Sequence, residues 1–129
     1  MKLLITGGLG FVGSHLVDSL VKKNHKIKIL TKTLLKKKNI KKSAKKIQIE
    51  KIDLINFQQL GRIIEKFKPD VIIHLAGNAS HAKSFENPLK DIDSNAKTTL
   101  FMLEKIRKLG TPCKFILGST FIVIGKPKK

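Results

Sequence analysis

The segment Thr6-Gly7-Gly8-Leu9-Gly10-Phe11-Val12-Gly13 constrains this chain more than any other. It follows Lys2-Leu3-Leu4-Ile5-Thr6, a short apolar run that reads as a buried strand. It leads into residues 11–23, where Phe11, Val12, Leu16, Val17, Leu20 and Val21 carry helical spacing. The glycines satisfy G-x-x-G-x-x-G through Gly7, Gly10 and Gly13, and G-x-G-x-x-G through Gly8, Gly10 and Gly13. Between a strand and a helix, such a turn bends tightly at its first glycines and leaves room at Gly10 for a pyrophosphate. Gly13 lets helix and strand pack closely. The helix N-terminus at Phe11, Val12 and Gly13 then offers free N–H groups and the positive end of its dipole to phosphates. A plain tight turn is the competing reading, and the surrounding α/β pattern favours the dinucleotide site.

That pattern continues along the chain. Residues 26–31 alternate Ile27 and Ile29 with lysines before reaching Leu30, a second strand. The lysine-rich stretch 32–46 reads as an exposed loop with at most a weak helix. A third strand is expected at 47–52. A helix carrying Phe57, Leu60, Ile63, Ile64 and Phe67 is terminated by Pro69. Residues 71–76 are almost wholly apolar, as expected of a central parallel strand covered on both faces. A long helix starts near Pro88 with Leu89, Ile92, Ala96, Leu100, Leu103 and Ile106 on one stripe, and Gly110 is placed to end it. Residues 114–118 form the fifth strand, followed by an apolar patch at 121–124. The order β-α-β-β-α-β-α-β predicts one α/β domain over residues 1–129. It is a doubly wound parallel sheet, a Rossmann fold, of about five strands with helices on both faces.

Composition narrows the function classes. The 129 residues, 41% hydrophobic and 28% charged, suit a soluble globular domain. No run approaches the roughly 18 apolar residues of a membrane span, and the apolar start breaks at Thr6-Gly7-Gly8, too early for a signal peptide. A cytoplasmic protein is expected. One cysteine, Cys113, provides neither an internal disulfide nor a metal cluster, and it reads as a core thiol. The net charge of +18 comes from 27 basic against 9 acidic residues. Only Arg62 and Arg107 are arginines, and Trp and Tyr are absent, so the means of reading bases or stacking on them are missing. Lysine spread through the chain is read as compositional bias rather than a specific nucleic-acid surface. It still predicts salt-sensitive, non-specific binding to polyanions.

The cofactor reading has one irregularity. A dinucleotide fingerprint expects an acid about 20 residues beyond the turn, on the ribose 2′-OH. No Asp or Glu lies between Asp18 and Glu50, and the second strand ends in Thr31-Lys32-Thr33. Hydroxyls plus a cation suit a 2′-phosphate, which favours NADP over NAD. In the plain reading, Lys32 is one more lysine in a lysine-rich chain.

Taken together, these motifs resemble the extended short-chain dehydrogenases, the NAD-dependent epimerase/dehydratase family that works on nucleotide sugars. The likeness runs over essentially the whole chain. Residues 6–13 followed by Ser14-His15-Leu16 resemble that family's opening. Asp53-Leu54 matches the position whose aspartate contacts the adenine. His74-Leu75-Ala76-Gly77 matches the strand-end motif beside the cofactor's ribose and pyrophosphate. Ser84, Pro88 and Asn95 fall where the family has a serine, a proline and a helix asparagine. The stretch from Gly118-Ser119-Thr120 to Val123-Ile124-Gly125 is similar to S-S/T-x-x-V-Y-G. The resemblance thereby implies that Thr120 is the catalytic Ser/Thr that hydrogen-bonds the substrate's reacting oxygen.

Two departures accompany it. Ile124 stands where the family has tyrosine, and the chain reaches Lys129 before the family's Tyr-x-x-x-Lys pair; it contains no tyrosine. The family mechanism needs that tyrosine as acid/base while hydride passes to or from nicotinamide. The expectation is a non-catalytic, cofactor-binding portion of an epimerase or dehydratase without its substrate domain. The alternatives are a short module that senses cofactor redox state and, less favoured, a basic nucleic-acid-binding protein. An uncovered fifth strand and the 121–124 patch would promote self-association. His74 reads as a strand-end core histidine, His15 and His25 as surface or turn residues, and His81 as a loop residue facing solvent or substrate.

Overall fold

The computed structural model describes residues 1–40, 47–78 and 80–120, together with Val123 and Gly125. Five parallel strands form one sheet: β1 (Lys2–Thr6), β2 (Lys26–Thr31), β3 (Ile47–Lys51), β4 (Val71–His74) and β5 (Lys114–Leu117), in the order β3-β2-β1-β4-β5. The doubly wound sheet expected from the apolar runs is therefore present. Its strand order reverses beside β1, so β1 and β4 are neighbours, with Thr6 in register with His74.

Alternation of side chains across the strands builds two cores. Leu4, Leu30 and Ile72 point to one face and pack with Leu60, Ile63, Ile64 and Phe67 of α2 (Phe57–Phe67) and Met102 of α5 (Thr98–Leu109). Leu3, Ile5, Ile27, Ile29 and Ile73 point to the other, against Val17 of α1 (Phe11–Val21). Phe57 stacks on Phe101, ring centroids 4.8 Å apart, where α2 meets α5. Asn56 caps α2 by accepting the Gln59 N–H at 3.1 Å, and Lys68 ends it in the left-handed region just before Pro69.

Three expectations need correction. The lysine-rich stretch is not wholly exposed: Lys37–Ile40 forms a 3-10 turn, and Ile40 is fully buried in the α1-side core. Within the turn Ile40 is the one apolar side chain, and it has no periodic partner to announce it. His81, expected in a loop, instead opens a short helix, α3 (His81–Glu86), capped by Ser80. The long helix does begin at Pro88, as α4 (Pro88–Ile92), and Gly110 ends it at φ +63°. Between α4 and α5, however, residues 93–97 form a π-helical turn, Asp93–Lys97. The extra residue per turn rotates the stripe outward, so Leu89, Ile92, Leu100 and Leu103 are exposed, and the packed face of α5 is Thr98, Phe101, Met102, Ile106 and Leu109.

On β5, Ile116 and Leu117 are about half exposed. The apolar patch at 121–124 lies outside the described residues except for Val123, which is exposed. Among the described residues no helix is long and apolar enough to cross a membrane. Cys113 is half-buried against the core, and burial pushes its thiol up.

Ile40→Ala should lower unfolding stability by about 2–4 kcal/mol, as core truncations do. Urea denaturation checks it; a loss below about 0.5 kcal/mol, typical of surface positions, would mean that the lysine-rich stretch does not close this core.

Candidate dinucleotide cleft

At the carboxyl end of the sheet, the turn after β1 lies against the strand end of β4. This is the reversal point where open α/β sheets place their ligands. Gly7 has φ +70°, and a Cβ there would stand 2.7 Å from the Ala76 nitrogen and 2.8 Å from the Leu75 carbonyl carbon. No other residue fits such a position. A Cβ on Gly13 would collide with the Gly7 carbonyl oxygen, so the first turn of α1 seats directly on the loop. Gly13 therefore packs helix against the turn itself, where its spacing suggested helix against strand. Within the loop, the Gly10 N–H donates to the Gly7 carbonyl at 2.9 Å. Gly10 is also the N-cap of α1, and having no side chain it caps none of the first-turn amides; no acid occupies that turn. The amides of Phe11, Val12 and Gly13 thus lack a side-chain acceptor, the arrangement that suits an anion.

Beneath the turn, Thr6 and His74 join β1 to β4. The Thr6 hydroxyl oxygen accepts the Ala76 N–H at 3.2 Å and lies 2.6 Å from His74 Nδ1. With the amide already donated to it, the hydroxyl is free to donate to Nδ1, which suits a neutral imidazole. His74 is 1% exposed, and burial lowers its pKa to about 4. It is the core histidine its position suggested, and it fixes where the backbone leaves the sheet.

A cleft of about 760 Å³ opens above this junction, within the size range of small-molecule sites. Of the residues singled out by sequence, Gly7, Gly10, Thr31, Lys32, Asp53, Leu54, Leu75, Ala76 and Gly77 line it. Phe11, Val12, Gly13 and Asn95 do not. Phe11 and Val12 expose their side chains to solvent and bring only backbone to the loop. Thr120 is exposed beyond β5 and does not line the cleft.

At the far end, beneath the tips of β2 and β3, Lys32 Nζ stands 2.6 Å from Asp53 Oδ2, and this ammonium holds the Asp53 carboxyl below the usual carboxylate range. The two residues were assigned separate tasks from sequence; the fold pairs them. The Thr31 hydroxyl donates to the Thr33 carbonyl at 2.8 Å, which ties up part of its capacity in its own turn. Lys36, Asn78, Lys83, Lys90 and Asp91 also line the cleft and were not foreseen. Only the helical i,i+4 spacing of Asp91 and Asn95 offered a signal. Among the described residues no group of three or more His, Cys, Asp or Glu could hold a metal ion.

A family model described as GDP-mannose 4,6 dehydratase matches residues 4–129. The chain is 34% identical to a UDP-glucose 4-epimerase of Neisseria meningitidis serogroup C, over 99% of this chain and 39% of that protein. Among solved structures, the UDP-Glc/GlcNAc 4-epimerase from Campylobacter jejuni superposes with a TM-score of 0.87 at 30% identity, over 99% of this chain and 40% of that one. The Thermus thermophilus UDP-glucose 4-epimerase in complex with NAD does so with a TM-score of 0.74 at 32% identity, over 85% of this chain and 35% of that one. The chain thus spans between 29% and 39% of the length of such curated relatives.

His74 makes stability depend on pH. Its pKa is about 4 in the folded chain against 6.5 as a free group, so between these values the unfolded state binds the extra proton. Stability is full above pH 6.5 and falls as pH drops toward 4, by roughly 2–4 kcal/mol. Denaturation midpoints at pH 7 and pH 4.5 should show this fall in the wild type, and a smaller one in His74→Asn. An equal fall in both proteins would remove His74 as its cause.

Proposed function

The chain belongs to the GDP-mannose 4,6-dehydratase family of nucleotide-sugar epimerases and dehydratases, and from that membership we propose that it is the dinucleotide-binding portion of such an enzyme. The observation that carries this reading is the close seating of Gly7 on Leu75 and Ala76, beneath the uncapped N-terminus of α1. A pyrophosphate at that N-terminus would meet the amides of residues 11–13. The adenosine end would lie toward Thr31, Lys32, Asp53 and Leu54, and the other half of the cofactor would run along Leu75, Ala76 and Gly77. When bound, nicotinamide supplies the hydride acceptor or donor. This chain's own residues bind it, orient it and present it.

We propose that these 129 residues do not by themselves carry out turnover. With no tyrosine in the sequence, the family's phenolic acid/base has no counterpart here. Thr120 is proposed only as the hydrogen-bonding partner of the substrate's reacting oxygen, and the substrate class as a nucleotide sugar. We also propose that the exposed apolar side chains on β5 lead the chain by itself to associate with copies of itself.

For the cofactor, we favour NADP over NAD, because the end of β2 carries Lys32 and no acid. Lys32 would exchange Asp53 for the 2′-phosphate. The exchange is cheap, since Lys32 is 71% exposed and such surface pairs contribute at most about 1 kcal/mol. Calorimetric titration with NADPH and NADH, at low and moderate salt, tests the reading. Saturable one-to-one binding that survives moderate salt is expected, with Lys32→Ala weakening NADPH about tenfold and leaving NADH unchanged. Binding that vanishes with salt would reduce the site to the polyanion affinity of a lysine-rich surface. Equal losses for both cofactors would refute the NADP preference alone.

A further inference from the structure

The loop that leaves β4 forms one wall of the cleft through Leu75, Ala76, Gly77 and Asn78, and it has no regular secondary structure of its own. Thr6 holds its start through the Leu75 and Ala76 amides, and one carboxylate braces its far end at Asn78. Asp91 Oδ1 accepts from Asn78 Nδ2 at 2.7 Å, Asn95 Nδ2 at 3.1 Å and Ser84 Oγ at 2.9 Å, a hydroxyl whose one proton is shared with the Ser80 carbonyl at 3.0 Å. Three donors on one oxygen suit an ionised carboxylate, which accepts and never donates. Those hydrogen bonds, from Asn78 and Ser84 first and Asn95 after them, hold the carboxyl below its ordinary range.

An acceptor-only group also orients its partners. Each asparagine must turn its NH₂ toward Asp91, so each aims its carbonyl oxygen the other way. Asn95 Oδ1 then accepts the Asn78 N–H at 2.8 Å, and Asn78 Oδ1 accepts the Ser80 N–H at 3.2 Å. Asn95 Nδ2 closes the bridge on the Asn78 carbonyl at 3.3 Å. The loop lies so near the helical run that a Cβ on Gly77 would stand 2.9 Å from Asn95 Oδ1. Asn95 itself sits in the π-helical turn, one residue set out of α-helical phase.

The geometry points to Asp91 as a positioning residue: it locks the amide orientations of Asn78 and Asn95 and so presets the backbone of residues 75–78 against which the dinucleotide lies. This rests on the cofactor reading above, but the brace itself is measurable without ligand. An Asp91→Ala side chain removes the acceptor, so the two amides lose the group that fixes their orientation.

The test compares wild type, Asp91→Ala and Ser84→Ala by three measurements on the full chain: NAD+ affinity, hydrogen exchange at the Asn78 amide, and the urea midpoint. Asp91→Ala should weaken NAD+ about five- to tenfold and speed exchange at Asn78 about tenfold or more, with the midpoint little changed. Ser84→Ala removes one donor, folds without difficulty at an exposed helix, and should weaken NAD+ about twofold. Wild-type affinity in both variants, or weakening that merely follows a general loss of midpoint, overturns the role. If wild type takes up no NAD+, the cofactor reading fails and takes the role with it. If wild type binds and the variants match it, only the role of Asp91 fails.

Discussion

The architecture at the carboxyl end of the sheet depends on how closely two backbone segments approach. The turn after β1 rests on the strand end of β4, with Gly7 placed where any side chain would strike Leu75 and Ala76. Directly below, Thr6 spans from His74 to the Ala76 amide. Because β1 and β4 are adjacent at the reversal of strand order, α1 departs to one face while α2 and α5 cover the other. The gap left between these layers is the cleft. A neutral, buried imidazole and two glycines therefore determine both the shape of the wall and the aim of the α1 N-terminus.

Charge acts on a second level. With +18 overall, the surface attracts any polyanion, and that attraction carries no specificity. Inside the cleft one cation is neutralised by a neighbour. Asp53 pairs with Lys32, and at the sheet Glu50 pairs with Lys28 at 3.0 Å. The specific component of an anion site is instead the fixed set of amides at the α1 N-terminus, since backbone groups held by packing need no reorganisation on binding.

Much of this was legible in the sequence because it repeats. Five apolar runs marked five strands, and the spacing of Gly7, Gly10 and Gly13 marked the turn and its two close approaches. Features resting on one residue or on a change of period were not. Ile40 is one apolar side chain among lysines, and burial of a single residue leaves no pattern. The stripe Leu89, Ile92, Ala96, Leu100, Leu103 and Ile106 has good helical spacing, yet with the π-helical turn at Asp93–Lys97 only Ile106 of it packs on the core. Hydrogen bonds between polar side chains also leave little trace. Asp91, Asn78 and Ser84 meet only because the loop after β4 folds back on the helical run. Likewise, Lys32 and Asp53 lie 21 positions apart and face each other only because β2 and β3 are parallel neighbours.

The measurement that bears most directly on the dinucleotide site is the map of backbone amide shifts on titrating the labelled chain with NAD+ at moderate salt. The largest changes should fall on residues 7–13 and 75–78, with smaller ones at 31–32 and 53–54, all saturating together. Changes scattered over the surface lysines, without saturation and with little at Gly10, Phe11 and Val12, would contradict a site built on the β1–α1 turn.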